Sequence, residues 1–379
     1  MTDWRVLDGA RTAWFDAPSL TVGATLAGRV LDQSIEIELR SMGVRVRVAT
    51  TEQSDAVSAA ALELGLSADP TALQQLSVVF ESSNPAAIKE FWQQITDYAA
   101  ADGTALVDPL HRDPTMHFRS SNEESPLRNR IHLDVVRPEA SVEQLDAGEA
   151  SGPYGVCHRD ADGNEVDLVP GGPLSQSDDA ADWQAVFSAM ACYRVTSTTQ
   201  RQELATAAAE LADTVGFPLL IDLRPGLVIL DSGKDQWEVD TEFTALAERI
   251  QQAARALGAT ADPAMPRFVQ LFLDAVDVPA VRQFWLDTLG YVADPRDEVT
   301  DIFDPRRLNP VLVFQELDAA DTARRGQRNR IFVELAVPLD LVPGRVATAT
   351  AAGGRLIDHS DNHWQITDPE GNELLIIGS

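Results

Sequence analysis

Residues 126–138 read PLRNRIHLDVVRP, and residues 326–338 read GQRNRIFVELAVP. The run Arg-Asn-Arg-Ile thus occurs twice, 200 residues apart, and apolar residues alternate behind it each time. Recurrence at that distance marks a chain assembled from repeated units. Of the positions at which the copies differ, one bears most of the functional question: His132 in the first stands where the second has Phe332.

Further matches keep the same order on either side. Asp3-Trp4 answers to Asp182-Trp183 at an offset of 179, Phe91-Trp92 to Phe284-Trp285 at 193, and Gly163-Asn164-Glu165 to Gly371-Asn372-Glu373 at 208. Offsets that grow in steps are the trace of a duplication followed by loop insertion. The chain therefore divides as A-B-A-B, over residues 1–68, 74–170, 180–261 and 266–379, and its 379 residues suit two to four domains.

Each A unit predicts the order β-α-β-β-α. In the first, a strand at 10–15 precedes a helix over 19–33, strands at 35–40 and 44–50, and a helix over 55–64 stopped by Gly65. The second repeats it with the strand MACYRVTS, a helix over 199–215, strands at 219–224 and 227–232, and a helix over 240–257 stopped by Gly258. Each B unit opens on a strand, LSVVFES or RFVQLFLDAV, followed by a helix. In the first, Asn84-Pro85 predicts an N-cap and a pre-set first φ. Ile88, Phe91, Trp92 and Ile95, like Val281, Phe284, Trp285 and Leu289, share one helix face, the spacing of a core-facing helix rather than an aromatic box. Strands at 115–119 and 311–315, the Arg-Asn-Arg-Ile strand and a closing hairpin follow. The hairpin turns, DADGN at 160–164 and DPEGN at 368–372, place a glycine where positive φ is needed.

Composition narrows the partners. Fifty-nine acidic against 30 basic residues give a net charge of -29, which repels phosphate backbones and anionic lipid, so neither nucleic acid nor membrane is expected. The opening residues lack a basic head and an apolar signal core, and no apolar run reaches membrane-spanning length, which predicts a cytoplasmic protein. Cys157 and Cys192 stand far apart with no CxxC, so neither a disulfide framework nor a zinc site is expected. The chain is expected to be a monomer or homodimer.

The A units resemble the pterin-4a-carbinolamine dehydratase family in element order and in the tight turns ELRSMGV and DLRPGLV between their strands. The resemblance implies a His-His-Pro run before the first of those strands and a later histidine. Here Gln33-Ser34-Ile35 and Phe217-Pro218-Leu219 occupy the run, and Thr51 and Ser232 stand near the later place. Without an imidazole to move a proton, both A units are expected to be silent scaffolds or docking modules.

The B units resemble the vicinal-oxygen-chelate superfamily, the glyoxalase and bleomycin-resistance relatives, in the Phe-Trp helix, the run R-N-R-I-H-L-D-V and the final D-x-[DE]-G-N-E hairpin. The implied fold is α+β, with two glyoxalase-like cupped sheets of paired β-α-β-β-β modules beside the two β-α-β-β-α units. Strand alternation turns Ile131, Leu133 and Val135 to the helix side and Arg130, His132 and Asp134 inward, with Glu165 and Asp167 inward on the closing strand. The resemblance implies that His132 and Asp167 hold a divalent metal, Mn, Fe, Ni or Zn, in the first cup. His117 or Glu81 would act there as base or third ligand, and Arg130, Arg119 and Ser77 would face the substrate. Ser77 departs from the family's Gln or His, and alternation alone does not say whether His117 or Arg119 points inward. In the second copy the same places read Gln270, Phe332 and Leu375, with Phe314 and Gln315 near the last one. That cup is expected to be metal-free and apolar, either filled by its own side chains or binding an apolar group through Gln270, Phe332 and Phe314. Lyase, isomerase or ring-opening chemistry on a small molecule is the leading expectation. Metal-free sequestration is the alternative, and a pterin-related or docking role for the A units stands third.

Overall fold

The structure, a computed structural model, describes residues 3–7, 9–101, 103–123 and 125–379 and is α+β. The four stretches expected in tandem sort into two compact units. The stretch up to Leu73 joins Val136–Glu143 and Pro170–Phe268, while Gln74–Val135, Gln144–Val169 and Val269–Ser379 form the other.

In the first unit the order β-α-β-β-α occurs twice, as Ala10–Asp16, Leu20–Val30, Glu36–Arg40, Gly43–Val48 and Thr51–Glu63, then Ser188–Arg194, Thr198–Val215, Leu220–Arg224, Leu227–Asp231 and Phe243–Ala256. The second helix starts earlier than 55 because Thr50 and Gln53 close a capping box. The two copies share one sheet. Glu36–Arg40 pairs antiparallel with Leu220–Arg224, so Ile37, Leu39, Ile221 and Leu223 enter one apolar core, and Glu38 falls opposite Asp222. Both acids are buried and must be paired. Arg45 Nε donates to Glu38 Oε2 at 2.7 Å, Arg224 also pairs with Glu38, and Arg40 Nη1 donates to Asp222 Oδ1 at 2.7 Å. Burial pushes the Glu38 carboxyl up, but Arg45 and Arg224 outweigh it and hold it at about 2.

The second unit contains two sheets, and each takes half from either copy. In one, Ile331–Val337 pairs antiparallel with Gln75–Ser82, in the register Phe332 to Val79 and Glu334 to Ser77. Glu373–Gly378 lies on one side of this pair and Thr115–Ser120 on the other, and two further strands beyond each bring the sheet to eight. In the other, Ile131–Pro138 neighbours Phe268–Ala275, with Glu165–Pro173 beyond the first and Val311–Glu316 beyond the second. The central pairs match, since Glu81 N donates to Arg330 O at 2.8 Å and Asp274 N to Arg130 O at 2.7 Å. Neither sheet is therefore the product of one copy, and the assignment of one cup to residues 74–170 and the other to 266–379 is replaced by this exchange.

The duplicated motifs form the joint that makes the exchange. Arg130 N donates to Asn329 Oδ1 at 2.9 Å and Arg330 N to Asn129 Oδ1 at 2.8 Å, so each copy's Arg-Asn-Arg-Ile run is tied to the other's. Asn129 and Arg330 also bond the Asn164 amide, while Asn329 and Arg130 bond that of Asn372. Asp160 fixes the first hairpin turn through Asp162 N, Asn164 N and Asn164 Nδ2, and accepts from Trp92 Nε1 at 2.9 Å; Asp368 does the same with Trp285 Nε1 at 3.1 Å. Burial raises both carboxyls above their ordinary range, against the pull of these donors. Gly163 and Gly371 take positive φ in these turns, as the sequence requires. Asn84 makes no side-chain cap bond, whereas Asp277 at the same place in the second copy accepts from Ala280 N. Because every partner of Asp160 is a donor, Asp160→Asn turns an NH2 toward N–H groups. It should cost about 2–4 kcal/mol, read as a lowered midpoint in urea unfolding, and an unchanged midpoint would rule the network out as a support.

Candidate functional site

The chemistry of the second unit collects where His132 meets the second copy. His132 and Asp134 stand two apart on one strand and so share a face, and Asp167 joins them from the closing strand. One ligand atom from each of the three lies within 4.8 Å of the others. Gln270, two pleats before Asp274 on the adjoining strand, donates from Nε2 to Asp134 Oδ2 at 3.0 Å. Phe272, between them on the same face, stacks on the His132 ring at 5.0 Å and 17° and fixes its plane. His132 Nδ1 and Gln270 Oε1 are buried without a hydrogen-bond partner. Burial pushes the His132 imidazole down, with Asp274 and Asp167 opposing, so it stays neutral at pH 7 with a lone pair to give.

The remaining acids near this cluster are neutralised. Arg128 and Arg159 both pair with Glu165, and Asp274 is held by Arg324 and Gln315. Two carboxylates, an imidazole and an amide oxygen suit a hard to borderline divalent cation, and the orphaned polar atoms are the ones such an ion would satisfy.

Several expected site residues lie elsewhere. Ser77, Glu81, His117 and Arg119 belong to the eight-stranded sheet and do not join His132, because Gln75–Ser82 pairs with Ile331–Val337 and Thr115–Ser120 pairs with Gln75–Ser82. The register settles the parity left open: Val79 lies opposite both Phe332 and His117, and Glu81 opposite Arg119, so all five side chains share one face. There His117 Nε2 lies 3.8 Å from Glu334 Oε1, Arg119 pairs with Glu334, and Arg328 binds Glu81, Glu123 and Glu373. Arg119 and Arg328 stand over the Phe332 ring at 5.8 and 5.9 Å. The expected apolar cup is thus crossed by ion pairs, and a cavity of about 400 Å³ lies at its edge beside Glu81, Glu123 and Arg328. Arg130 is buried in the joint between copies rather than facing a substrate. Phe314 falls opposite Leu273, on the apolar face away from Gln270 and Phe272, so it lines no site. Gln270 is the gain: expected in the metal-free cup, it sits with His132.

Asp134 was legible as an inward residue, yet its place in the cluster with His132 and Asp167 was not. Its strand mate His132 two residues earlier was the signal. Phe272 and Asp274 share Gln270's face by alternation, but no sequence pattern says which copy's histidine that face will meet.

Paired modules of this order, with side chains able to hold a metal gathered on one sheet face, fit the vicinal-oxygen-chelate class. The chain belongs to the glyoxalase-like domain family, whose model matches residues 77–169 and 270–377, more than half of its length. No curated protein matches it in sequence. Among solved structures it is similar to glyoxalase I from Zea mays, at 9% identity over 81% of this chain and 92% of that one with a TM-score of 0.38. A glyoxalase-related enzyme from Fulvimarina pelagi is similar at 18% identity over 28% of this chain and 84% of that one, with a TM-score of 0.22. The cppA protein from Streptococcus pneumoniae is similar at 8% identity over 80% of this chain and 97% of that one, with a TM-score of 0.32. No helix among the described residues is long and apolar enough to cross a membrane.

Proposed function

We propose that the chain binds a divalent metal through His132, Asp134 and Asp167, with the Gln270 amide oxygen alongside, and acts on a small molecule there. The carrying observation is the pair of orphaned buried atoms, His132 Nδ1 and Gln270 Oε1, beside the clustered carboxylates of Asp134 and Asp167. Such a metal, when bound, polarises substrate oxygens and stabilises negative charge that develops on them. The chain's own part is to hold the ligands: Phe272 sets the imidazole plane, Asp134 anchors Gln270, and Arg128 and Arg324 keep Glu165 and Asp274 from competing. On the same face Val311 and Val313 lie beside Gln270 and Phe272, which favours a substrate with an apolar group next to its oxygens. Lyase, isomerase or ring-opening chemistry fits this reading. The first unit, which resembles the pterin dehydratases without their histidines, serves in it as scaffold.

A second reading, binding without metal, is favoured by the other sheet, where Ser77, Phe332 and Leu375 leave no ligand set and a cavity of about 400 Å³ adjoins. Metal analysis of untagged protein after exhaustive dialysis separates the two. About one divalent ion per chain is the expected result, and a metal-free protein that still binds small molecules would leave only the second reading.

A further inference from the structure

We infer that the first unit carries a binding site for a small carboxylate anion at the start of the helix Thr198–Val215. The first N–H groups of a helix have no intrahelical acceptor and carry the positive end of its dipole. This helix has 18 residues, and Ser197 Oγ accepts from Gln200 N at 3.1 Å, which leaves the earlier N–H groups to other partners. Beside its start is a cavity of about 220 Å³ walled by Gln33, Val195, Thr196, Ser197, Thr198, Arg201, Pro225 and Gly226. None of these walls is acidic, in a chain with 59 acidic residues and a net charge of -29.

Two observations point to an anion. The first is Arg201, a wall of the cavity that is only 1% exposed. Its Nη1 donates to the Arg224 carbonyl at 2.7 Å and its other terminal nitrogen to the Asp32 carbonyl, while Nε has no partner. A buried guanidinium met by carbonyls alone is under-compensated. The Asp32 carboxylate is nearby but committed, since it accepts from Ser34 N at 2.6 Å, Ser34 Oγ at 2.8 Å, Ile35 N at 3.0 Å and Gln53 Nε2 at 3.1 Å. Arg224, the other charge acting on Arg201, is of like sign and is drawn to Glu38.

The second observation is the same place in the first copy, where a carboxylate is already seated. The helix Leu20–Val30 begins under Asp213, which accepts from Leu20 N at 3.2 Å, Thr21 N at 2.8 Å and Thr21 Oγ1 at 2.6 Å. Asp213 reaches it from the far end of the 18-residue helix. The first copy's helix has only 11 residues and stops at Val30, so it returns no carboxylate to the start at Thr198. What stands there instead is the cavity, with exposed Gln33 on its rim. A carboxylate with a short carbon chain fits this volume and reproduces the Asp213 contact, with Arg201 below.

The test is thermal unfolding of the full chain in sodium acetate, against sodium chloride and sodium phosphate at matched ionic strength. Acetate should raise Tm saturably by about 2–4 °C at concentrations well above its Kd, and chloride should not. Gln33→Glu places a carboxylate at the rim, so its Tm should equal or exceed that of the unchanged chain and its acetate response should vanish. Arg201→Gln should also lose the response, and if that variant does not fold, Gln33→Glu decides alone. An equal rise in chloride, or a full acetate response in Gln33→Glu, would overturn the site. A rise in phosphate with none in acetate would overturn its assignment to carboxylates.

Discussion

Replacing His132 by alanine is expected to abolish the divalent-metal binding proposed for the second unit. His132 is the one residue of the cluster that offers a nitrogen, its Nδ1 is buried without a partner, and burial favours the neutral ring, the form that binds metal. Partners outside the ligand shell are worth about 10–100-fold in metal affinity, so loss of a ligand itself should cost about 100-fold or more. Mass spectrometric metal content after dialysis should fall from about one ion per chain to background. Phe332→Ala, at the equivalent place in the other sheet, should leave it unchanged. Circular dichroism distinguishes lost metal from lost fold. A His132→Ala chain that keeps its full complement of metal would refute the assignment, whatever its activity.

The second large effect concerns Glu38. This carboxylate is buried between Arg45 and Arg224 and joins the two copies of the first unit across their shared strands. Glu38→Gln leaves two buried guanidinium groups short of a counter-charge, and breaking a buried pair in this way costs about 3–5 kcal/mol. Its pH dependence has a definite sign. The folded carboxyl sits at about 2 against an ordinary 4.5, so its contribution is complete above 4.5 and lost as the pH falls toward 2. That displacement corresponds to about 3 kcal/mol. Urea midpoints measured from neutral to acid pH should fall steeply in that window for the unchanged chain and less steeply for Glu38→Gln. Parallel curves would place the acid sensitivity elsewhere.

Much of this was legible from the residues. Repeated motifs, apolar alternation and glycine-marked turns located nearly every strand and helix, because those signals are local and each maps onto one backbone conformation. Face analysis, which needs only the period of a strand, turned His132, Asp134 and Asp167 to one side, and the superfamily resemblance singled out His132 and Asp167 among them. Strand pairing between copies was not legible: Gln75–Ser82 and Phe268–Ala275 carry the same pattern, and nothing local says which Arg-Asn-Arg-Ile strand each will adjoin. His117 was therefore put beside His132, and Gln270 away from it. The reciprocal bonds of Asn129 and Asn329 that join the copies link residues 199 to 201 apart in the chain, a separation at which sequence pattern carries no pairing information.

The exchange of halves bears on how the two sites could have diverged. Because each sheet draws one half from either repeat, a change in one repeat touches a single site, while the partner repeat supplies the opposite wall. Four module segments thus supply two independently adjustable surfaces, one carrying His132 and the other Phe332 with its arginines. A single repeat would hold half of each surface and the whole of neither.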